Sequence, residues 1–105
     1  MPSSDSGSTV LRLEESTDHV TLHVEGPLTG RAFHAASKIL DARKIGGRPL
    51  WIDLKEMTSI DTGGLGVLIL AGRLAIYSPG VRIRGAAAEV CEMLRLVRLR
   101  VSALV

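Results

Sequence analysis

The chain has 105 residues, 46% of them hydrophobic and only 3% aromatic, with a formal net charge of +2. That length gives room for one core and excludes a catalytic domain joined to a regulatory one, and the few aromatic residues do not interleave with lysine and arginine, so nucleic acid is not expected as a partner. A single cysteine, Cys91, excludes an intramolecular disulfide and a cysteine-built zinc site and points to a reducing compartment.

The first residues, Met1-Pro2-Ser3-Ser4-Asp5-Ser6-Gly7-Ser8, lack a basic region followed by an apolar one, and read as a disordered tail over 1–8 ahead of one folded unit over 9–105. No apolar run reaches the roughly 18 residues of a membrane span, so a cytoplasmic domain is expected. Val10 to Glu14 and Val20 to Val24 alternate apolar with polar around a polar turn at Glu15 to Asp18, the pattern of an antiparallel hairpin. Gly26-Pro27 is a stop signal for the second strand. Thr29 is then placed to cap a helix from about Gly30 to Lys44, with Phe33, Ala36, Ile39 and Leu40 as its apolar stripe.

Gly46-Gly47-Arg48-Pro49 leads into Leu50-Trp51-Ile52-Asp53-Leu54, a short run of large apolar residues that suits a buried strand. Leu65, Leu68, Ile69, Gly72 and Ile76 recur at helical spacing from Thr62 to about Tyr77, ahead of the breaker Ser78-Pro79-Gly80. Val81 to Arg84 alternates again as a strand with both arginines on one face. Ala87, Val90, Cys91, Leu94 and Val97 line a third helix, and Val101 to Val105 supplies a last strand. Helices between the later strands call for right-handed crossovers, so the fold class is α/β, a mixed, mostly parallel β-sheet with helices and an N-terminal antiparallel hairpin.

In such a sheet, ligands and partners gather where strands exit into helices, and Asp61 and Thr62 fall at one such junction. The first turn of a helix carries unpaired N–H groups and a partial positive charge, so Thr62 suits both a cap and an added phosphate. Asp61 either shares the capping or orients Thr62, and Asp53, at the end of its strand, pairs with backbone N–H groups or a basic side chain. Gly63-Gly64-Leu65-Gly66 lacks the spacing and the Gly-Lys-Ser/Thr of a phosphate loop; glycines here let the helix start close against the sheet. His19, His23 and His34 lie on different elements, so neither a metal site nor a cofactor is expected. Cys91 reads as a small buried hydrophobe. Arg82, Arg84, Arg95, Arg98 and Arg100 make either a solvated face or a surface for an acidic partner or anionic lipid.

Asp53-Leu54 followed by Met57, Ile60, Asp61-Thr62 and Gly64-Leu65-Gly66 resembles the strand-helix pattern of the STAS domain, the fold of bacterial anti-sigma-factor antagonists. Gly26-Pro27-Leu28 is similar to the family's G-x-L element, and Val81-Arg82-Ile83 sits where its fourth strand would be, so the likeness spans roughly residues 9 to 101. The resemblance implies a non-enzymatic switch in which Thr62 accepts phosphate from a partner serine/threonine kinase. It implies that the unphosphorylated form binds an anti-sigma factor of the kinase type through Asp53, Thr58, Ser59, Asp61, Thr62, Gly63, Gly64 and Leu65, and that phosphorylation releases it. The chain departs from many antagonists in carrying Thr29 where they have an acidic residue, in lacking a glycine within Leu96 to Arg100, and in ending at Val105. Asp61-Thr62-Gly63-Gly64-Leu65 and Arg82-Ile83-Arg84-Gly85 also resemble the small STAS subunit of the Mla phospholipid-transport complex, which implies as the alternative partner the ATPase subunit of an ABC transporter.

Overall fold

The computed structural model describes residues 8–74, 81–96 and 103–104. Residues 1–7 of the expected tail over 1–8, Ile76, Tyr77, the Ser78-Pro79-Gly80 breaker, Val97, Arg98, Arg100 and, of the last strand expected over Val101 to Val105, Val101, Ser102 and Val105 lie outside the described residues. Nine elements follow in chain order: β1 (Val10–Glu15), β2 (Val20–Leu28), α1 (Ala32–Ile39), α2 (Ala42–Ile45), β3 (Leu50–Ile60), α3 (Thr62–Leu74), β4 (Val81–Arg84), α4 (Ala88–Leu96) and β5 (Ala103–Leu104). The strands form one five-stranded sheet in the order β1-β2-β3-β4-β5. β1 pairs antiparallel with β2, and every later pair is parallel.

Because the parallel strands follow one another in sequence order, right-handed crossovers carry their connecting helices to the same side of the sheet. The burial pattern agrees. Leu22 pairs with Ile52 and Ile52 with Ile83, and all three are fully buried on the helix side. Ala36 of α1, Val67, Leu68 and Ala71 of α3, and Val90 and Leu94 of α4 close the same core. Each Leu or Ile so buried contributes about 1.5–3 kcal/mol. The opposite face carries the intervening residues, in register Arg12-His23-Asp53-Arg84 and Glu14-Thr21-Trp51-Arg82.

Several boundaries differ from the sequence reading. Gly26-Pro27 does not end β2, which runs on to Leu28. The register against β3 shifts at Gly26/Pro27, and Gly26 adopts φ +79°, so the irregular pairing absorbs both residues without breaking the strand. β3 likewise continues past Leu54 to Ile60. Its second half pairs with β2 alone, since β4 reaches only to Asp53 in register, and that half-covered ribbon tolerates Lys55, Glu56, Thr58 and Ser59. The helix expected to reach Lys44 breaks at Leu40, which is extended (ψ 123°), and restarts as α2 where the Asp41 carboxylate accepts the Arg43 N–H at 2.8 Å. Thr29 is not a side-chain cap: its carbonyl accepts the Ala32 N–H at 3.0 Å, and α1 has no side-chain cap hydrogen bond. On α1 it is Ala32 that enters the core, while Phe33 faces out.

Candidate functional site

β3 leaves the sheet at Ile60, and Asp61 turns the chain into α3. Its Oδ1 accepts the Gly64 N–H at 2.7 Å, its carbonyl accepts the Leu65 N–H at 2.9 Å, and its own N–H donates to the Leu28 carbonyl at 3.2 Å. Asp61, not Thr62, is therefore the helix cap, and Thr62 is the first helical residue. The aspartate carboxylate, one position earlier, reaches the third N–H of the turn, which leaves the threonine outside the capping geometry. Thr62 is exposed, and its hydroxyl makes no hydrogen bond among the described residues.

The two glycines that follow bring the helix onto the neighbouring strand exit. A Cβ on Gly63 would lie 2.5 Å from the Gly30 Cα, and one on Gly64 only 2.0 Å from the Leu28 carbonyl oxygen. No side chain fits either place, so the Gly26-Pro27-Leu28 and Asp61-Thr62-Gly63-Gly64 runs are two halves of one junction. The sequence reading left Leu28 and Gly30 out of the site. The signal was available: two parallel neighbours must end side by side, so the exits of β2 and β3 belong together. Thr58, Ser59, Asp61 and Thr62 are exposed around this edge, Gly63 and Leu65 are half-buried, and Gly64 is buried.

A family model described as "Mlab, STAS domain" matches residues 11–105. The chain belongs to the STAS domain family. Among solved structures, this STAS domain resembles the anti-sigma factor antagonist SpoIIAA in its unphosphorylated form, at TM-score 0.67 and 17% identity over 83% of each chain. It also resembles an anti-sigma factor antagonist from Mycobacterium paratuberculosis, at TM-score 0.71 and 17% identity over 89% of this chain and 80% of that one. An antisigma-factor antagonist STAS domain from Rhodobacter sphaeroides aligns at TM-score 0.57 and 20% identity over 74% of this chain and 85% of that one. No curated protein matches the sequence.

Asp53 does not sit with the other candidates of the STAS junction. It lies seven residues before Ile60, roughly 20 Å along the strand at about 3.3 Å per residue, and is 3% exposed on the sheet's other face. It is internal to β3 rather than at its end, because the strand is longer than the apolar run suggested. Its Oδ1 accepts the Lys55 N–H at 3.1 Å. Its Oδ2 faces His23 Nδ1 and Lys55 Nζ, both at 3.6 Å, and Arg84 Nε at 3.7 Å. The carboxylate thus joins β2, β3 and β4 electrostatically, consistent with pairing to backbone and basic groups. His23 also meets Glu14 Oε1 through Nε2 at 2.7 Å, and this hydrogen bond, then the imidazole's charge, holds the Glu14 carboxyl below the usual range. Cys91 is half-buried rather than sealed in the core, with its Sγ 3.8 Å from the Ala86 carbonyl. Among the described residues no group of three or more His, Cys, Asp or Glu is gathered for a metal ion, and no helix is long and apolar enough to cross a membrane.

Proposed function

We propose that this STAS domain is an anti-sigma-factor antagonist that works by partner switching, with Thr62 as its phosphoacceptor. The observation that carries the reading is the exposed, unbonded hydroxyl at the first turn of α3, beside an aspartate already engaged as the cap. A phosphate there adds about 1.5 to 2 negative charges next to the positive end of a helix, so the fold tolerates it. The same group adds bulk and a shell of bound water to the surface a partner must cover. In this reading unphosphorylated protein binds a cytoplasmic anti-sigma factor of the serine/threonine-kinase type, and phosphorylation releases it. The domain supplies the switch and no catalysis of its own. The contact surface consists of Thr58, Ser59, Asp61, Thr62, Gly63 and Leu65, with buried Gly64 shaping it; Asp53, buried on the sheet's other face, stands apart from it.

The test is co-purification from the native cell with intact-mass measurement, followed by binding of the recovered kinase to variants. Wild type and Thr62→Ala should bind alike, and Thr62→Glu should weaken binding about ten-fold or more with unchanged circular dichroism. Equal binding by Thr62→Glu would remove the switch. Recovery of an ABC-transporter ATPase with no phosphate on Thr62 would replace the antagonist reading with that of a transporter subunit, in line with the match to the Mlab family model.

A further inference from the structure

Gly30, two residues before α1, packs on Gly63, and three residues further along each segment the Phe33 ring rests beside Gly66, whose Cβ would lie 3.9 to 4.0 Å from Phe33 Cδ2 and Cε2. α1 and α3 therefore run side by side in the same direction. Thr62, Gly66, Ile69 and Arg73 are spaced four, three and four apart, so they form one stripe along α3. Little of that stripe serves the core. Ile69 is half-buried and, unlike Leu65, Leu70 and Leu74, does not pack against the core cluster. Phe33 is 44% exposed, one of two large hydrophobic side chains so open among the described residues. Gly66, half-buried and without a side chain, lies beside the Phe33 ring.

Along the two helices themselves charge is one-signed, and the acid at their head, Asp61, is engaged as the α3 cap. Arg31, His34 and Lys38 follow at helical spacing along exposed α1, and Arg73 ends the α3 stripe. Neither α1 nor α3 contains an acidic residue, and Arg31, Lys38 and Arg73 have no ion-pair partner among the described residues. Arg12, Arg48 and Arg95, by contrast, sit with Glu25, Glu15 and Glu92, while Arg43 and Lys44 of α2 also lack an acidic partner among the described residues.

We propose that the α1–α3 face, from Thr62 through Phe33, Gly66 and Ile69 to Arg73, docks an acidic helical surface of a protein partner, with Phe33 as its apolar anchor. The proposal rests on the reading of the Thr62 edge as a docking edge and names the chemistry of what docks there. An apolar side chain of the incoming helix packs over Gly66 beside Phe33, and its carboxylates meet Arg73, Lys38 and Arg31. This choice of occupant also explains the sign of the switch: phosphate on Thr62 puts negative charge at the head of a stripe built to receive negative charge.

The experiment is site-specific photo-cross-linking in the native cell with benzoylphenylalanine in place of Phe33 or, on the opposite face of the sheet, in place of Trp51. The cross-linked peptide is then mapped by mass spectrometry. Position 33 should trap a net-acidic segment with apolar residues at helical spacing, and position 51 should not trap that segment. With the purified partner, Arg73→Glu should weaken binding about ten-fold or more, and reversing one carboxylate of the trapped segment to lysine should restore it. No protein trapped at position 33, a net-basic segment, trapping of the segment at 51 alone, or wild-type binding by Arg73→Glu would each overturn the proposal. So would sedimentation of the protein with phosphatidylglycerol vesicles, lost in Phe33→Ala, with no protein trapped at 33; the face would then be a lipid surface. If Thr62→Glu binds normally while Arg73→Glu does not, the docking face stands and the phosphate switch falls.

Discussion

At the level of single residues, Asp61 and Thr62 divide the work between them: the aspartate caps the helix and the threonine hydroxyl stays free among the described residues. Asp61 holds the Gly64 N–H, so Asp61→Ala should cost about 1 kcal/mol of stability in urea unfolding, whereas Thr62→Ala should change it by less than about 0.5 kcal/mol. A reversed order would mean that the threonine hydroxyl caps the helix after all. The glycines separate in the same way. Gly64→Ala would drive a methyl to 2.0 Å from the Leu28 carbonyl, where only backbone can yield, and should destabilise by about 1–3 kcal/mol or prevent folding. Gly66→Ala meets only the Phe33 ring at 3.9 Å and gains helix propensity, so it should leave stability unchanged or raise it by up to about 1 kcal/mol. Thermal or urea midpoints of the two variants, compared with wild type, decide whether closeness to β2 or mere flexibility keeps glycine at Gly64.

At the level of elements, the β1–β2 hairpin shows how acid should act on the molecule. Glu14 is lowered by its hydrogen bond and charge interaction with His23, and Asp18 by its hydrogen bonds from Ser16 and with His19. A carboxylate lowered in the folded state contributes stability that is fully present above its unfolded value and lost as pH falls through the folded one. The hairpin should therefore lose stability below about pH 4.3, the ordinary glutamate value. Glu14→Gln should flatten the acid limb of a stability-against-pH curve from urea midpoints, and an unchanged limb would assign the acid sensitivity to other groups. Much of this architecture was legible beforehand. Alternation marked β1, β4 and the start of β2 because those strands present one face to the core and one to water. The exits are not legible: Gly26-Pro27 reads as a stop, and Lys55 to Ser59 carry no strand pattern, because the β2–β3 ribbon projects past β4 and loses the apolar alternation that burial imposes. Helical spacing picks out Leu65 and Leu68 of α3, which pack in or against the core, together with Ile69, which does not; it misses buried Val67 and Ala71, since the helix is apolar nearly all round and Gly64 is what meets β2. The junction residues Asp61 to Gly66 were readable because close packing there admits so few side chains.

At the level of the whole molecule, sequential strand order leaves the helices on one face of the sheet and a charged, helix-free face on the other among the described residues. The single tryptophan lies on that second face, half-buried, with the Arg82 guanidinium 5.5 Å and the Arg84 guanidinium 5.1 Å from its ring centroid. Trp51 is therefore a built-in reporter of the side opposite Thr62. Two neighbouring cations concentrate anions at the indole, so iodide should quench its fluorescence more efficiently than caesium at equal ionic strength, and Arg82→Gln with Arg84→Gln should narrow the difference. Equal quenching by both ions in wild type would show that the nearby Glu14 and Asp53 cancel the arginines at the ring. The same emission then tests the division of faces. A partner seated on α1 and α3 is separated from Trp51 by the thickness of the sheet and its core, so binding should leave the emission maximum and iodide quenching unmoved; a shift of either would place the partner, or a rearrangement it causes, on the β-sheet's open side.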